Sequence, residues 1–280
     1  MTTEPGNKVT VAALQQMKRD GRKIVGVVAW DFQVAQIADR AGVDLVSVGD
    51  SVGINLWGHP TPLEVTMDEM LIVLRAVRRG TKRALVSCDF PYGPLQAGTA
   101  TALEAARRFR DAGADMVKVD DAASNPQALT AIVEAGIPVF AQIGITPQTA
   151  DKHGVDYARM LKGDVQVPAG MTAALVDEAR RCEAAGAAMI DFTNSGPIAG
   201  PAVAKAVSIP VIGGLGGGPW LDGRVRMAHA AIGYAATNLE GKTVTYANVA
   251  QITLDALGAY ADDVRAGRQI KGGIPVKPAA

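Results

Sequence analysis

The chain has 280 residues, 48% hydrophobic and 20% charged, with 28 acidic side chains against 28 basic ones. That composition excludes a disordered chain, and the charge balance offers no basic face for nucleic acid or for an anionic membrane surface. Two cysteines, Cys88 and Cys182, stand far apart and outside any CxxC spacing, which argues against a disulfide framework or zinc site and for a reducing cytoplasm. The opening MTTEPGNKVT lacks a basic segment followed by an apolar one, so no signal peptide is expected. No apolar run approaches the ~20 residues of a membrane span.

An amphipathic stretch, Thr10 to Arg19, predicts a leading helix that closes the bottom of whatever follows. Short β-branched runs then recur between longer amphipathic ones. Strands are expected over Lys23–Ala29, Asp44–Val48, Arg83–Cys88, Asp115–Val119, Ile137–Ala141, Ala188–Phe192 and Ile209–Ile212, with a weaker eighth over Ala231–Ala235. Strands alternating with helical patterns, and apolar on both faces, indicate βαβ units around a buried parallel sheet. Ala41-Gly42, Ala112-Gly113 and Ala185-Gly186 each precede a strand, as expected where a helix ends on a left-handed glycine. The pattern predicts a (β/α)8 barrel with an N-terminal helix, one domain over 1–280. Two connections are long, Ser51 to Met67 and Thr146 to Met171, as expected of lids and substrate-contacting loops.

Barrel active sites sit at the C-terminal ends of the strands. Reading those ends gives Asp50 and Ser51, Asp89, Lys118 with Asp120, Gln142, and Asp191 with Thr193. Lys118 and Asp120 are two apart on a strand and so share a side. Clustered carboxylates are costly without positive charge among them, and a hard divalent cation such as Mg2+ suits an all-oxygen set. A lone Asp after a strand is as often a helix N-cap, and Asp31 and Asp39 read as capping or surface residues. His59, His153 and His229 show no ligand spacing, and Cys88 reads as a small buried hydrophobe. Gly213 to Gly218, with Gly214 and Gly216 central, follows the seventh strand, where barrels build anion-binding turns. It is not a dinucleotide fingerprint.

The motifs VGDSVG, VTMDEM, DFPYG, AGADMVKVD, AGIPVFAQIGITPQT and IPVIGGLGGGPWLDGRV occur in that order. By them the chain resembles the ketopantoate hydroxymethyltransferase family of the phosphoenolpyruvate mutase and isocitrate lyase superfamily, from about Val11 to about Tyr234. The resemblance implies hydroxymethyl transfer from 5,10-methylenetetrahydrofolate to a 2-oxo acid such as 3-methyl-2-oxobutanoate, chelated on Mg2+. It implies metal carboxylates at Asp50, Asp89 and Asp120, the last in place of the family's Glu and so suited to contact through water. It implies substrate contacts at Ser51 and Lys118, and assembly as a homo-oligomer.

Two departures follow. The family's histidine is Gln142. The glutamate that serves the family as base at C3 of the oxo acid is Thr193, which cannot take a proton at neutral pH; Asp191, on the same side of the strand, is the candidate replacement. Other readings of the same residues are a carbon–carbon lyase or decarboxylase acting on a 2-oxo or 2-hydroxy acid, and a non-catalytic paralogue. The second is disfavoured by the cost of keeping idle buried charges.

Overall fold

The computed structural model describes residues 7–156, 159–160, 165–241 and 244–272. They divide into two compact units, one running to Met227 and one from Ala228.

The first unit is a closed barrel of parallel strands, β1 (Ile24–Val28), β2 (Leu45–Val48), β3 (Leu85–Asp89), β4 (Met116–Val119), β5 (Val139–Gly144), β6 (Met189–Thr193), β7 (Val211–Gly213) and β8 (Gly223–Met227). β8 pairs with β1 over five residues and shuts the ring. The helices of this unit are α1 (Val11–Arg19), α2 (Phe32–Arg40), α3 (Met67–Gly80), α4 (Tyr92–Gln96), α5 (Thr99–Asp111), α6 (Pro126–Glu134), α7 (Thr172–Ala184) and α8 (Gly196–Ala206). Among the described residues no helix is long and apolar enough to cross a membrane.

Strand parity builds two cores. Ile24, Leu45, Leu85, Met116, Phe140, Met189, Ile212 and Val225, one from each strand, fill the barrel floor, and Leu14 and Met17 of α1 close it from below. Alternate residues such as Val46, Val86, Val117, Ala141 and Ile190 pack outward against the helices. α1 fulfils the expected plug. Thr10 caps its first turn, and Lys18 reaches the Ala204 and Ile209 carbonyls and the Asp222 carboxylate. The glycines Gly42, Gly113 and Gly186 all take positive φ, which an L side chain adopts only at a cost. Asp31 caps α2 through the Val34 N–H.

Seven strands fall where the sequence places them, with β3, β5, β6 and β7 ending one to three residues later than expected. The eighth does not. Ala231–Ala235 begins in a short helix, and the eighth strand is the earlier GRVRM, Gly223–Met227. Its two arginines masked it: only Gly223, Val225 and Met227 turn inward, so the segment lacks the apolar run that marked the others. The long connection after β2 holds one wide helical turn, Gly53–Trp57, and a short one, Pro62–Glu64. The connection after β5 falls partly outside the described residues.

The second unit carries α9 (Ala228–Ile232), a turn at Ala236–Leu239 and α10 (Val249–Arg265). Its first helix is tied to the following chain by Tyr246 N–H to the Ala231 carbonyl and Ala250 N–H to the Gly233 carbonyl.

One contact in the helical layer is tight enough to test. A Cβ on Gly80 would lie 2.5 Å from the Phe32 carbonyl oxygen and 3.0 Å from Ala35 Cβ, whereas one on Gly93 would meet nothing within 4 Å. Backbone cannot yield as a flexible side chain does, so Gly80→Ala is expected to cost about 1–3 kcal/mol and lower Tm by roughly 3–8 °C. Gly93→Ala is the control. Equal melting of the two variants would show that α2 and α3 do not pack this closely.

Candidate active site

The inward residues change character above the floor. One step up each strand from Leu45, Leu85, Met116, Phe140 and Met189, the parity that buries those side chains places Ser47, Ser87, Lys118, Gln142 and Asp191 inside the barrel. A further step brings Asp89, Asp120 and Thr193, with Asp50 just beyond β2. Asp50, Asp89, Asp120, Gln142, Asp191 and Thr193 are all buried. Every site position expected on β2 to β6 therefore reaches one end of the barrel.

Lys118 is the hub. Its Nζ lies 2.7 Å from Asp89 Oδ2 and 3.2 Å from Asp191 Oδ2. The Phe140 ring lies below it, 6.0 Å from centroid to Nζ. Burial alone would push the ammonium down, but Asp89, Asp191 and Asp50 overcome that and hold it well above its ordinary value. It is a fixed cation. Asp89 is steadied further by Ser47 Oγ at 3.3 Å, itself bonded to Ser87 Oγ at 2.8 Å.

Four carboxylates and one ammonium leave this interior short of positive charge. Burial raises Asp50 against the opposing pull of Lys118 and a hydrogen bond from Gln148. Burial also pushes Asp89 up to about 7 against Lys118, and Asp120 up to about 7 against a hydrogen bond from Thr146. Asp120 accepts the Asp121 N–H at 2.6 Å, and Asp121 takes positive φ to deliver it. Gln148 Nε2 bonds both Asp50 Oδ2 and the Phe90 carbonyl. Gln148 and Thr146 belong to the GITPQ motif but were not picked out as site residues; only their contacts across the barrel reveal the role.

Gln142 and Thr193 face one another. Gln142 Nε2 donates to Thr193 Oγ1 at 2.7 Å. Asp191 is Gln142's register partner across β5 and β6. One of its oxygens, Oδ1, is buried with no hydrogen-bond partner. Beside Gln142 and Gly144 opens a cavity of about 210 Å³, lined also by Thr146, Lys152, His153 and Glu178.

The remaining expected positions are placed as follows. Ser51 donates its backbone N–H to Asp50. Gly214 and Gly216 lie in the turn after β7, where Arg224 binds the Gly214 and Gly217 carbonyls. A Cβ on Gly216 would lie 2.5 Å from Asn194 Oδ1, so close packing requires glycine there. His59 sits 3.8 Å from Glu69 in the loop after β2. Cys88 is buried in the outer core. Among the described residues no three His, Cys, Asp or Glu side chains converge as a complete metal-ligand set.

The charge shortage predicts a pH effect on stability. The folded-state value of Asp120 lies above its ordinary 3.8. Its contribution is therefore most favourable at low pH and is lost as pH rises from about 4 to about 7. Asp120→Asn removes that loss. In chelator-treated protein at pH 8 the variant should melt a few degrees above wild type, on the order of 1–4 kcal/mol, and the difference should shrink towards pH 5. A variant that melts below wild type at pH 8 would show that Asp120 carries no such penalty.

Residues 8–269 match the family model for ketopantoate hydroxymethyltransferase. Curated relatives named 3-methyl-2-oxobutanoate hydroxymethyltransferase include one from Geobacillus kaustophilus (strain HTA426), 36% identical over 89% of this chain and 87% of its own length. Another, from Salinibacter ruber (strain DSM 13855 / M31), is 36% identical over 92% of this chain and 95% of its own. Among solved structures, a phosphonopyruvate hydrolase in complex with oxalate and Mg++ superposes with a TM-score of 0.60 at 16% identity, covering 95% of this chain and 91% of that one. A 2,3-dimethylmalate lyase of the PEP mutase/isocitrate lyase superfamily gives 0.58 at 14%, covering 94% and 89%; identities this low speak to the fold alone. The family match covers the barrel and every site residue described above, and the chain belongs to the ketopantoate hydroxymethyltransferase family of enzymes.

Proposed function

We propose that this enzyme builds a carbon–carbon bond at C3 of a 2-oxo acid by hydroxymethyl transfer, using a divalent cation, with Mg2+ the natural choice. The observation that carries the reading is the excess of buried carboxylates around Lys118. Leaving them ionised without a counter-charge is expensive, and their all-oxygen chemistry fits a hard cation that keeps several waters. Asp50 and Asp89 would hold it directly and Asp120 through water. When bound, it polarises the keto group and neutralises charge that develops on the enolate. The names of the curated relatives support 3-methyl-2-oxobutanoate as acceptor, and the family's chemistry supports 5,10-methylenetetrahydrofolate as donor.

The chain's own residues divide the remaining work. Lys118, locked as a cation by Asp89 and Asp191, sits where it can stabilise the enolate oxygen. Thr193, whose oxygen already accepts from Gln142, does not act as base. Asp191 does: Lys118 orients one oxygen, and the other is free to accept the C3 proton. Ser51, Gln142 and the Gly214–Gly216 turn complete the substrate's surroundings.

Deuterium exchange tests these roles. Wild type with Mg2+ in D2O should exchange the C3 proton of 3-methyl-2-oxobutanoate. Asp191→Asn should slow exchange by ~100-fold or more while binding persists. Lys118→Met should weaken exchange more than binding, and Asp89→Ala should abolish Mg2+-dependent binding of the acid. Wild-type exchange in Asp191→Asn would remove it as the base.

A further inference from the structure

Hydroxymethyl transfer has two substrates, and the carboxylates around Lys118 seat only the acid. The cavity of about 210 Å³ at the end of β5 is a second space. Two of its lining residues also touch the site: Gln142 bonds Thr193, and Thr146 bonds Asp120. The cavity and the acid site therefore share a wall. Asp120 and Asp121 mark its two sides. Asp120 stands with the carboxylates, while Asp121, turned by its positive φ, lines the cavity and is held there by Ser124 and Lys152.

The far wall is one face of a helix. Met171, Leu175 and Glu178, at the start of α7 and along it, follow the spacing i, i+4, i+7, which sets them in line over ~10 Å of helix rise. The first two are apolar and the third is a carboxylate. Glu178 is half-buried and accepts no hydrogen bond among the described residues. Burial raises it above its ordinary range, and Arg181 and His153 offset that only in part. Further along the same helix, Glu183 takes hydrogen bonds from Ser208 and Ile209. Glu178 has none and faces the cavity.

A half-buried carboxylate at the end of a partly apolar slot is matched by a flat ring with two adjacent N–H groups on its edge, which pairs both oxygens as a guanidinium does. The 2-amino-4-oxo ring of a reduced pterin has that edge. The rim of the cavity also carries Lys152 and His153, donors for carboxylates on a tail that extends outward. We propose that this cavity is the donor subsite: it takes the reduced pterin ring of the folate carrier, with Glu178 pairing the ring's N–H edge. The inference rests on the transferase reading above and gives the carrier a seat outside the carboxylate cluster, across the Gln142 wall from the acid.

The test uses the whole chain with Mg2+, and 5-formyltetrahydrofolate as a carrier that does not transfer its carbon. Wild type should bind it in calorimetry. Glu178→Gln keeps the shape and removes the charge, and should weaken that binding ~10- to 100-fold, the size of a hydrogen bond to a charged group. Met171→Trp, which narrows the slot at its partly buried end, should weaken it as well. Binding of 3-methyl-2-oxobutanoate to both variants should stay within about twofold of wild type, since the acid shares no contact with either residue. In turnover, Glu178→Gln should raise KM for 5,10-methylenetetrahydrofolate and not KM for the acid. Unchanged affinity for the carrier in both variants, with turnover retained, would overturn the subsite and leave the transferase reading standing. Equal loss of both ligands in a variant that melts like wild type would also overturn it, because the cavity would then belong to the acid's own seat. A wild type that exchanges the C3 proton but neither binds the carrier nor consumes methylenetetrahydrofolate would overturn the folate reading and this one with it.

Discussion

The ammonium of Lys118, held between Asp89 and Asp191 inside a barrel, is the interaction on which the rest depends. A buried pair whose partner is removed leaves an uncompensated charge worth several kcal/mol. Here the imbalance runs the other way. Asp50 and Asp120 add two more carboxylates near the same ammonium, the excess of negative charge that the proposed cation would relieve. The barrel absorbs the cost because the floor beneath is wholly apolar. Ile24, Leu45, Leu85, Met116, Phe140, Met189, Ile212 and Val225 close it without a polar atom among their side chains.

The layering is also what divides chemistry from stability. Along β3 and β6 alone, one reads Leu85, Ser87, Asp89 and Met189, Asp191, Thr193 upward from floor to mouth. Both strands use their lowest inward position for packing and the upper ones for the site. Loops then set the carboxylates from above, as Gln148 does for Asp50 and Thr146 for Asp120. Between β5 and β6 the neutral Gln142–Thr193 bond stands where the family resemblance implies a histidine and a glutamate, and the carboxylate on β6 is Asp191.

Most of this was legible in the chain because strand parity is a local rule. Lys118 and Asp120 had to share a side, and so did Asp191 and Thr193. The strand missed was the one whose outward face carries Arg224 and Arg226, since an alternating charged segment mimics a surface loop when its inward residues are only Gly223, Val225 and Met227. Contacts were illegible. That Gln142 bonds Thr193 depends on the register of β5 against β6. That Gln148 crosses from the β5 loop to Asp50, 98 positions away, depends on closure of the whole ring. The free oxygen of Asp191 is likewise a property of three strands together, since Lys118 on β4 claims the other one.

If these carboxylates form the seat of a divalent cation, as proposed, binding of the ion releases protons. With Asp89 and Asp120 each pushed up to about 7, a cation that binds their ionised forms must displace the protons they hold. Calorimetric titration of Mg2+ at pH 7, repeated in buffers of different ionisation enthalpy, should show about one proton released per ion bound, falling towards none at pH 9. Binding without proton release at pH 7, or no binding in the presence of a 2-oxo acid, would contradict the account.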